Sequence, residues 1–398
     1  MQSKAPNIKN ILREHNIDGA IISSPENFHY ICGFAAHQHT VSRQPAFASA
    51  VLSSSDSEPV FAITMDFEAP AFIERSTYVQ VRTYDTWVGV KKWGELTGEI
   101  KTVDKTALIT HFDTLHQIVS DLNLCTGVIG IEMDFLPLSY YKKLTELFPN
   151  AEFVNISVLF VHARSVKNTE EIEMFRILCQ AADNAFFEVS KIASVGVSEK
   201  EMSKCFRENV LTSGVCFPSS WSMFTVGNNC SRLGLPGERR AAEGDIIKLD
   251  AGVNAEFDFY TTDTSRSWIV GKAHPLLHKI KDRLFEAQRL MIEVCKPGLP
   301  INELFFTGFN HVSKTFPSYR RGHLGHSISM GPATAEAPYI SPKEDRLLET
   351  GMVLAIEAPL YIDGVGGFNI EDMVLVTKDG CEILTPKTPH YILEGMYA

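Results

Sequence analysis

Ile246 to Trp268 read IIKLDAGVNAEFDFYTTDTSRSW, and each arm of this stretch carries an aspartate where an apolar residue would pack better. Ile246, Ile247 and Leu249 lead to Asp250; Asp263 is followed by Ser265 and Ser267 on one face and Trp268 on the other, by the two-residue period of a strand. Two strands joined by a turn are expected, with the aspartates brought together as a hairpin closes. Opposed residues of antiparallel strands have Cβ atoms ~4.5–5.5 Å apart, so two carboxylates there repel unless a cation separates them. The pattern then recurs. MVLAIE (352–357) ends at Glu357, DGVGG (363–367) supplies a glycine-rich turn, and FNIEDMVLV (368–376) sets Glu371 among apolar residues. The separations are similar, 13 residues for the aspartates and 14 for the glutamates, which argues for one shared counter-charge. Acids are depleted in strands, and burying an unpaired carboxylate costs several kcal/mol. Four of them on two hairpins form a hard-oxygen cage of the kind that holds two divalent cations. His326, in RRGHLGHSISMG (320–331), adds an imidazole where glycine and serine let the backbone approach closely. His323, three residues earlier, is either a supporting group of that site or a packed core histidine.

Working outward, the 398 residues are 44% hydrophobic and 21% charged, enough for two globular domains and too apolar for disorder. A net charge of -11 sets the chain against nucleic-acid backbones and anionic membranes, which leaves a small-molecule or short-peptide partner. No apolar run reaches the ~18 residues of a membrane span, and the first residues lack a secretory h-region, so a cytoplasmic protein is expected. The eight cysteines are scattered without CxxC pairs, as reduced and mostly packed thiols are.

The chain changes character near residue 160, giving expected domains of 1–160 and 161–398. Before the change, GAIIS (19–23), FASAVLS (47–53), VFAIT (60–64), ALIT (107–110) and VIGIE (128–132) alternate with helix-like segments, as in an α/β layer. After it, Asn168 with Glu171 forms a capping-box signal ahead of Ile172, Phe175, Cys179, Ala182, Phe186 and Val189, which keep helical spacing over about five turns. Ser198 with Glu201 repeats the signal, and Pro275 opens a helix that stops at Lys296-Pro297-Gly298.

The order Asp, Asp, His, Glu, Glu in LDAG (Asp250), TTDTSR (Asp263), GHSIS (His326), GMVLAIEAP (Glu357) and NIEDMVLVT (Glu371) resembles the pita-bread metallohydrolases: methionine aminopeptidase, prolidase, aminopeptidase P and creatinase. IDGAIISSPENFHYICGF (17–34) is similar to the opening of the creatinase/prolidase amino-terminal domain, and RSVKNTEEI (164–172) to the helix that begins the catalytic domain. The resemblance implies an α/β amino-terminal domain plus an α+β pita-bread catalytic domain, commonly a homodimer. It implies two divalent ions, with Asp250 on one, Asp263 and Glu371 bridging, and His326 and Glu357 completing the other. Glu357 is then also the proton shuttle, with His323 as its catalytic neighbour, and Ser265 orients a metal ligand. Carboxylates with one histidine accept Mn, Fe, Co or Zn alike.

Four departures bear on the substrate. The aspartate hairpin is about two residues longer than in the family's peptidases, and a His-Glu-x-Pro sequence is replaced by AEAP, with Ala335 and Glu336. Ser231 and Arg232 stand where a further histidine is usual, and Asn369 where an arginine usually precedes Ile-Glu-Asp. The lost imidazoles are donors to the scissile peptide, so Arg232 and Glu336 become candidate substrate-binding residues, together with His39 and Arg43 from the AAHQHTVSRQPAF stretch (35–47). The leading expectation is a hydrolase of an amide-type C–N bond, similar to Xaa-Pro peptidases. Its alternatives are a non-peptide hydrolase of the creatinase or ectoine-hydrolase kind, a metal-dependent lyase of the dimethylsulfoniopropionate-cleaving kind, and a non-catalytic binding module.

Overall fold

A computed structural model of the chain describes residues 4–88, 90–101, 108–256, 258–331 and 334–392. The chain divides after Ala163 into two compact units. In the first, six short strands form one mixed sheet: β1 (Gly19–Ile22), β2 (Ser49–Ser53), β3 (Phe61–Met65), β4 (Gln80–Tyr84), β5 (Val128–Ile131) and β6 (Glu152–Asn155), in the order β4-β3-β2-β1-β5-β6. Ile21, Val51, Ile63 and Ile129 from these strands pack with Leu115 and Ile118 of helix His111–Asp121 and Leu144 of helix Leu138–Leu147. The apolar run at 107–110 gives no strand: Leu108, Ile109 and Thr110 lie outside any element, and Ala107 lies outside the described residues. Thr110 instead caps helix His111–Asp121 in a reciprocal box with Asp113, a local bonding that outcompetes a strand ladder.

The second unit opens with helix Thr169–Ile192, whose Asn168–Glu171 capping box is formed and whose 24 residues make it longer than the five turns expected. The Ser198–Glu201 box starts helix Glu199–Thr212, and Pro275 starts helix Pro275–Val294. The strands are β7 (Cys216–Pro218), β8 (Met223–Val226), β9 (Ile246–Ala251), β10 (Val253–Ala255), β11 (Thr264–Ile269), β12 (Gly325–Ser327), β13 (Glu336–Tyr339), β14 (Val353–Ile362), β15 (Gly366–Val376) and β16 (Cys381–Ile383). The main sheet runs β13-β12-β14-β15-β11-β9-β8, with β16 beside β15.

Alternation along β14 and β15 sorts the side chains. Leu354, Ile356, Ala358, Phe368, Ile370 and Val374 pack against Leu284, Ala287 and Met291 of helix Pro275–Val294 and Leu304 of helix Ile301–Thr315. Glu357 and Glu371 therefore point to the other face.

The link from β9 to β11 is more than a turn. β10 leaves the sheet to pair with β7, and Asn254 bridges Thr261 on the way back. Gly252 sits where the returning chain crosses, and a Cβ there would lie 1.8 Å from the Thr262 carbonyl oxygen. Among the described residues no helix is long and apolar enough to cross a membrane, and all eight cysteines are free thiols.

Candidate metal centre

Register assembles the site. Glu357 of β14 is opposite Glu371 of β15, Glu371 is opposite Ser265 of β11, and Ser265 is opposite Asp250 of β9. One row across four strands thus carries three carboxylates on strands ~4.8 Å apart. Asp263 is not opposite Asp250, as a simple hairpin requires, because the β10 excursion shifts the return strand so that Ser265 takes that place. Asp263 lies two residues earlier and so faces the same side as Ser265.

Ligand atoms of Asp263, His326 and Glu371 all lie within 4.8 Å of one another, and all three residues are buried. His326 Nδ1 is 3.0 Å from the Ser327 carbonyl oxygen, to which it donates, so Nε2 is left as the ligating nitrogen; it lies 3.5 Å from Asp263 Oδ2. Asp263 Oδ1 is buried without a hydrogen-bond partner. An orphaned carboxylate oxygen beside a second buried carboxylate and a correctly presented imidazole fits a divalent cation.

Charge tells the same story. Burial, then the nearby Asp263, Glu357 and Asp250, push Glu371 well above the usual carboxylate range. Asp250 is pushed up to about 7, chiefly by burial, with Lys248 opposing. Burial likewise raises Asp263, against the hydrogen bond from His326. These acids are costly to ionise together unless a cation is bound among them.

Glu357 is different. Burial opposes its charge, but the His323 hydrogen bond and the Arg321 and histidine charges outweigh that and hold it below its ordinary value. Arg321 Nη2 donates to Glu357 Oε1 at 2.9 Å, and His323 Nδ1 is 3.2 Å from the same oxygen. His323 thus touches a carboxylate of the site and is not a packed core histidine.

The other expected site residues differ in what they touch. Ser265 donates to the Leu249 carbonyl at 2.6 Å, so its hydroxyl ties β11 to β9. Arg232 is exposed at the end of the turn Gly227–Ser231 and has no charged partner among the described residues. Glu336 accepts from Arg164 at 2.7 Å, both side chains nearly buried. His39, 1% exposed, bonds through Nε2 to the Ser23 carbonyl and packs edge-on to Phe28. Arg43 is held by both oxygens of Glu26 at 2.6 and 3.1 Å, which occupies the fork expected to meet substrate.

Several residues that shape the site escape a search for acids. Lys248, 1% exposed, points the same way as Asp250 by the strand period and places Nζ 3.7 Å from Asp250 Oδ2. A lysine between Ile247 and Leu249 is as anomalous as the aspartate, and that is the signal that finds it. Asn369 donates to Glu371 Oε2 at 3.4 Å and also bonds Asp250, so it braces two ligands from the position where the family usually has arginine. Behind the row, fully buried Arg266 donates to the carbonyls of Glu371, Ser265, Thr385 and Thr388 and to Asp372 Oδ1. Asp372 in turn accepts from Gln288 and Thr385 and meets His390.

Comparison with known proteins agrees with this geometry. Residues 173–378 match the model of metallopeptidase family M24, and residues 5–166 that of the creatinase/prolidase N-terminal domain. An uncharacterized peptidase of Staphylococcus aureus is 26% identical over 385 residues, covering 96% of this chain and 99% of that protein. Among solved structures, the Xaa-Pro dipeptidase from Bacillus anthracis superposes with a TM-score of 0.80 at 24% identity, covering 98% of this chain and 99% of its own. The prolidase from Pyrococcus furiosus gives 0.74 at 24%, covering 95% and 98%. The fold and the acid-histidine cluster are those of a metal-dependent hydrolase. The chain belongs to metallopeptidase family M24, with a creatinase/prolidase-type amino-terminal domain and a pita-bread catalytic domain.

Proposed function

We propose that the chain is a dinuclear-metal-dependent hydrolase that cleaves an amide-type C–N bond in a small substrate. The observation that carries this reading is the single cross-strand row of Glu357, Glu371 and Asp250, joined by Asp263 and His326. Asp250, Asp263, His326, Glu357 and Glu371 would hold two divalent ions, of which Mn, Fe, Co and Zn all suit the donor set. When bound, such ions supply Lewis acidity toward a carbonyl oxygen and toward water.

The chain's own residues supply the proton path. Hydrolysis adds OH from water to the carbonyl carbon and H to the leaving nitrogen as the C–N bond breaks, giving an acid and an amine. Glu357, kept anionic by His323 and Arg321, takes the proton of the attacking water and delivers it to that nitrogen. His323, 38% exposed, can follow the carboxylate through this exchange from the solvent side.

Small non-peptide substrates of the creatinase or ectoine-hydrolase kind are favoured over general peptides by one observation. Neither Ala335 nor Ser231, whose hydroxyl is spent on the Asn228 carbonyl, offers the donor that a peptide carbonyl would need. Xaa-Pro dipeptides are the competing class. A homodimer is inferred from the family, and a reducing, cytoplasmic setting from the eight free thiols. The test is metal analysis joined to a screen of dipeptides, ureido compounds and cyclic amidines. Turnover of at least one class that is lost with the metal supports the reading; full activity in metal-free protein refutes it.

A further inference from the structure

The eight free thiols do not share one kind of neighbour. Cys125, Cys205, Cys216 and Cys230 bond to a serine hydroxyl, an asparagine amide, a serine hydroxyl and a backbone carbonyl in turn. Cys295 and Cys381 bond to each other. Cys295 caps the C-terminal end of helix Pro275–Val294, where its backbone amide donates to the Ile292 carbonyl at 3.2 Å. Cys381 opens β16, and its thiol donates to the same oxygen at 3.2 Å. One carbonyl thus gathers two residues some eighty-five positions apart in the chain. Cys295 is 1% exposed in the core beneath β14 and β15, and Cys381 is half-buried at the edge of that core. The hydrogen bond between the thiols pushes Cys295 up, with burial adding to it, and holds Cys381 down against its own burial. The more reachable sulfur is therefore also the more easily ionised one, which is the combination that makes a thiol reactive.

We infer that Cys295 and Cys381 form a redox site that a hydroperoxide closes to a disulfide, locking the end of helix Pro275–Val294 to β16. The site is independent of the hydrolase chemistry. The Cys381 thiolate attacks one peroxide oxygen: the S–O bond forms, the O–O bond breaks, and the leaving oxygen takes up the proton that Cys381 released. The Cys295 sulfur then attacks Cys381, forming the S–S bond as the S–O bond breaks, and its proton departs with that oxygen as water. Two thiols lose two electrons, and the hydroperoxide is reduced to an alcohol and water, or to two waters if it is hydrogen peroxide. A thiol reductant reverses the step. A short side-chain movement separates hydrogen-bonded thiols from the ~2.05 Å bond of a disulfide. Closing so long a loop removes conformational freedom from the unfolded chain, so the oxidised form is the more stable one. β16 pairs with β15, which carries Glu371, and the helix packs against the apolar face of β14 and β15. The bond therefore fastens together two elements that flank a strand of the ligand row. Disulfides of proteins in reducing surroundings are usually of this transient, sensing kind.

The test uses the full-length chain loaded with zinc, an ion without redox chemistry of its own, treated with hydrogen peroxide, then alkylated and mapped by mass spectrometry. The wild type should give one intramolecular cross-link, Cys295 to Cys381, and a Tm raised by at least about 5 °C, both reversed by dithiothreitol. Cys381→Ser should abolish the cross-link and the rise in Tm at unchanged zinc content. Cys295→Ala removes the second sulfur, so Cys381 should accumulate as a sulfenic acid that dimedone traps. Should Cys295→Ala misfold through its loss of core volume, Cys381→Ser decides, because it exchanges one atom at a half-buried position. Oxidised wild type in which Cys295 and Cys381 stay unlinked, or in which either joins a different cysteine, overturns the inference. So does a cross-link that forms without raising Tm, or a rise in Tm that survives Cys381→Ser.

Discussion

Arg266→Met is the perturbation that probes how the ligand row is held. The arginine is 0% exposed, and its guanidinium satisfies four backbone carbonyls and one oxygen of Asp372, itself 1% exposed. Methionine fills much of the volume but donates nothing. Asp372 keeps Gln288, Thr385, His390 and the more distant Arg289, so its charge is only partly compensated. Breaking a buried pair from one side costs about 3–5 kcal/mol. For a unit of this size each kcal/mol lowers Tm by roughly 2–4 °C, which gives a loss of about 6–20 °C. Because the Glu371 carbonyl is one of the freed acceptors, metal affinity should fall with stability. The assay is thermal unfolding of wild type and variant, with and without added divalent ion, followed by near-ultraviolet circular dichroism. A Tm change below about 3 °C without metal would refute the reasoning, because five buried hydrogen bonds would then be worth almost nothing.

Lys248→Met should act in opposite senses with and without metal. Removing a cation 3.7 Å from Asp250 destabilises the metal-free protein and strengthens divalent-ion binding at least tenfold, checked by competition with a chelator of known affinity. The amino-terminal unit should lose stability in acid. His39 and His111 are pushed down to about 4 and about 3, chiefly by burial, from an ordinary value near 6.5. Below pH ~6.5 the unfolded chain gains protons that the folded unit refuses, so stability falls as pH drops through that window by up to ~1.4 kcal/mol per unit for each histidine. His111→Asn should flatten the slope of unfolding free energy between pH 6.5 and 4, and an unchanged slope would count against the assignment. Asn168→Ala, which removes a formed capping box, should cost about 1 kcal/mol in denaturant unfolding.

The acids of the site could be found in the sequence because carboxylates inside apolar strands are electrostatically out of place wherever the strands end up. Their pairing could not. Asp250 faces Ser265 because the chain detours through β10, and that detour depends on a strand, Cys216–Pro218, some thirty residues upstream. Lys248 and Arg266 break the apolar pattern just as the acids do, so the same criterion applied to cations would have found them. Arg321 carries no such signal: it sits outside the strands, and its meaning comes from Glu357, 36 residues away. His39 and Arg43 read in sequence as candidate substrate contacts because their partners, the Ser23 carbonyl and Glu26, are non-local, and composition does not reveal who satisfies a polar group. The cap boxes at Asn168 and Ser198, by contrast, are local bonds between residues three apart, which is why they read directly.

Metal content of purified wild type and Asp263→Asn, measured by inductively coupled plasma mass spectrometry beside amide hydrolysis, tests the central claim most directly. Asp263 has a buried oxygen with no partner and stands with His326 and Glu371, so its neutral amide should release the ions and abolish turnover without unfolding the chain. Close to two divalent ions per wild-type chain and far fewer in the variant, with activity lost in step, is the expected result. Fully active wild type that holds no metal after chelation, or an Asp263→Asn variant that keeps both metal and activity, would contradict it.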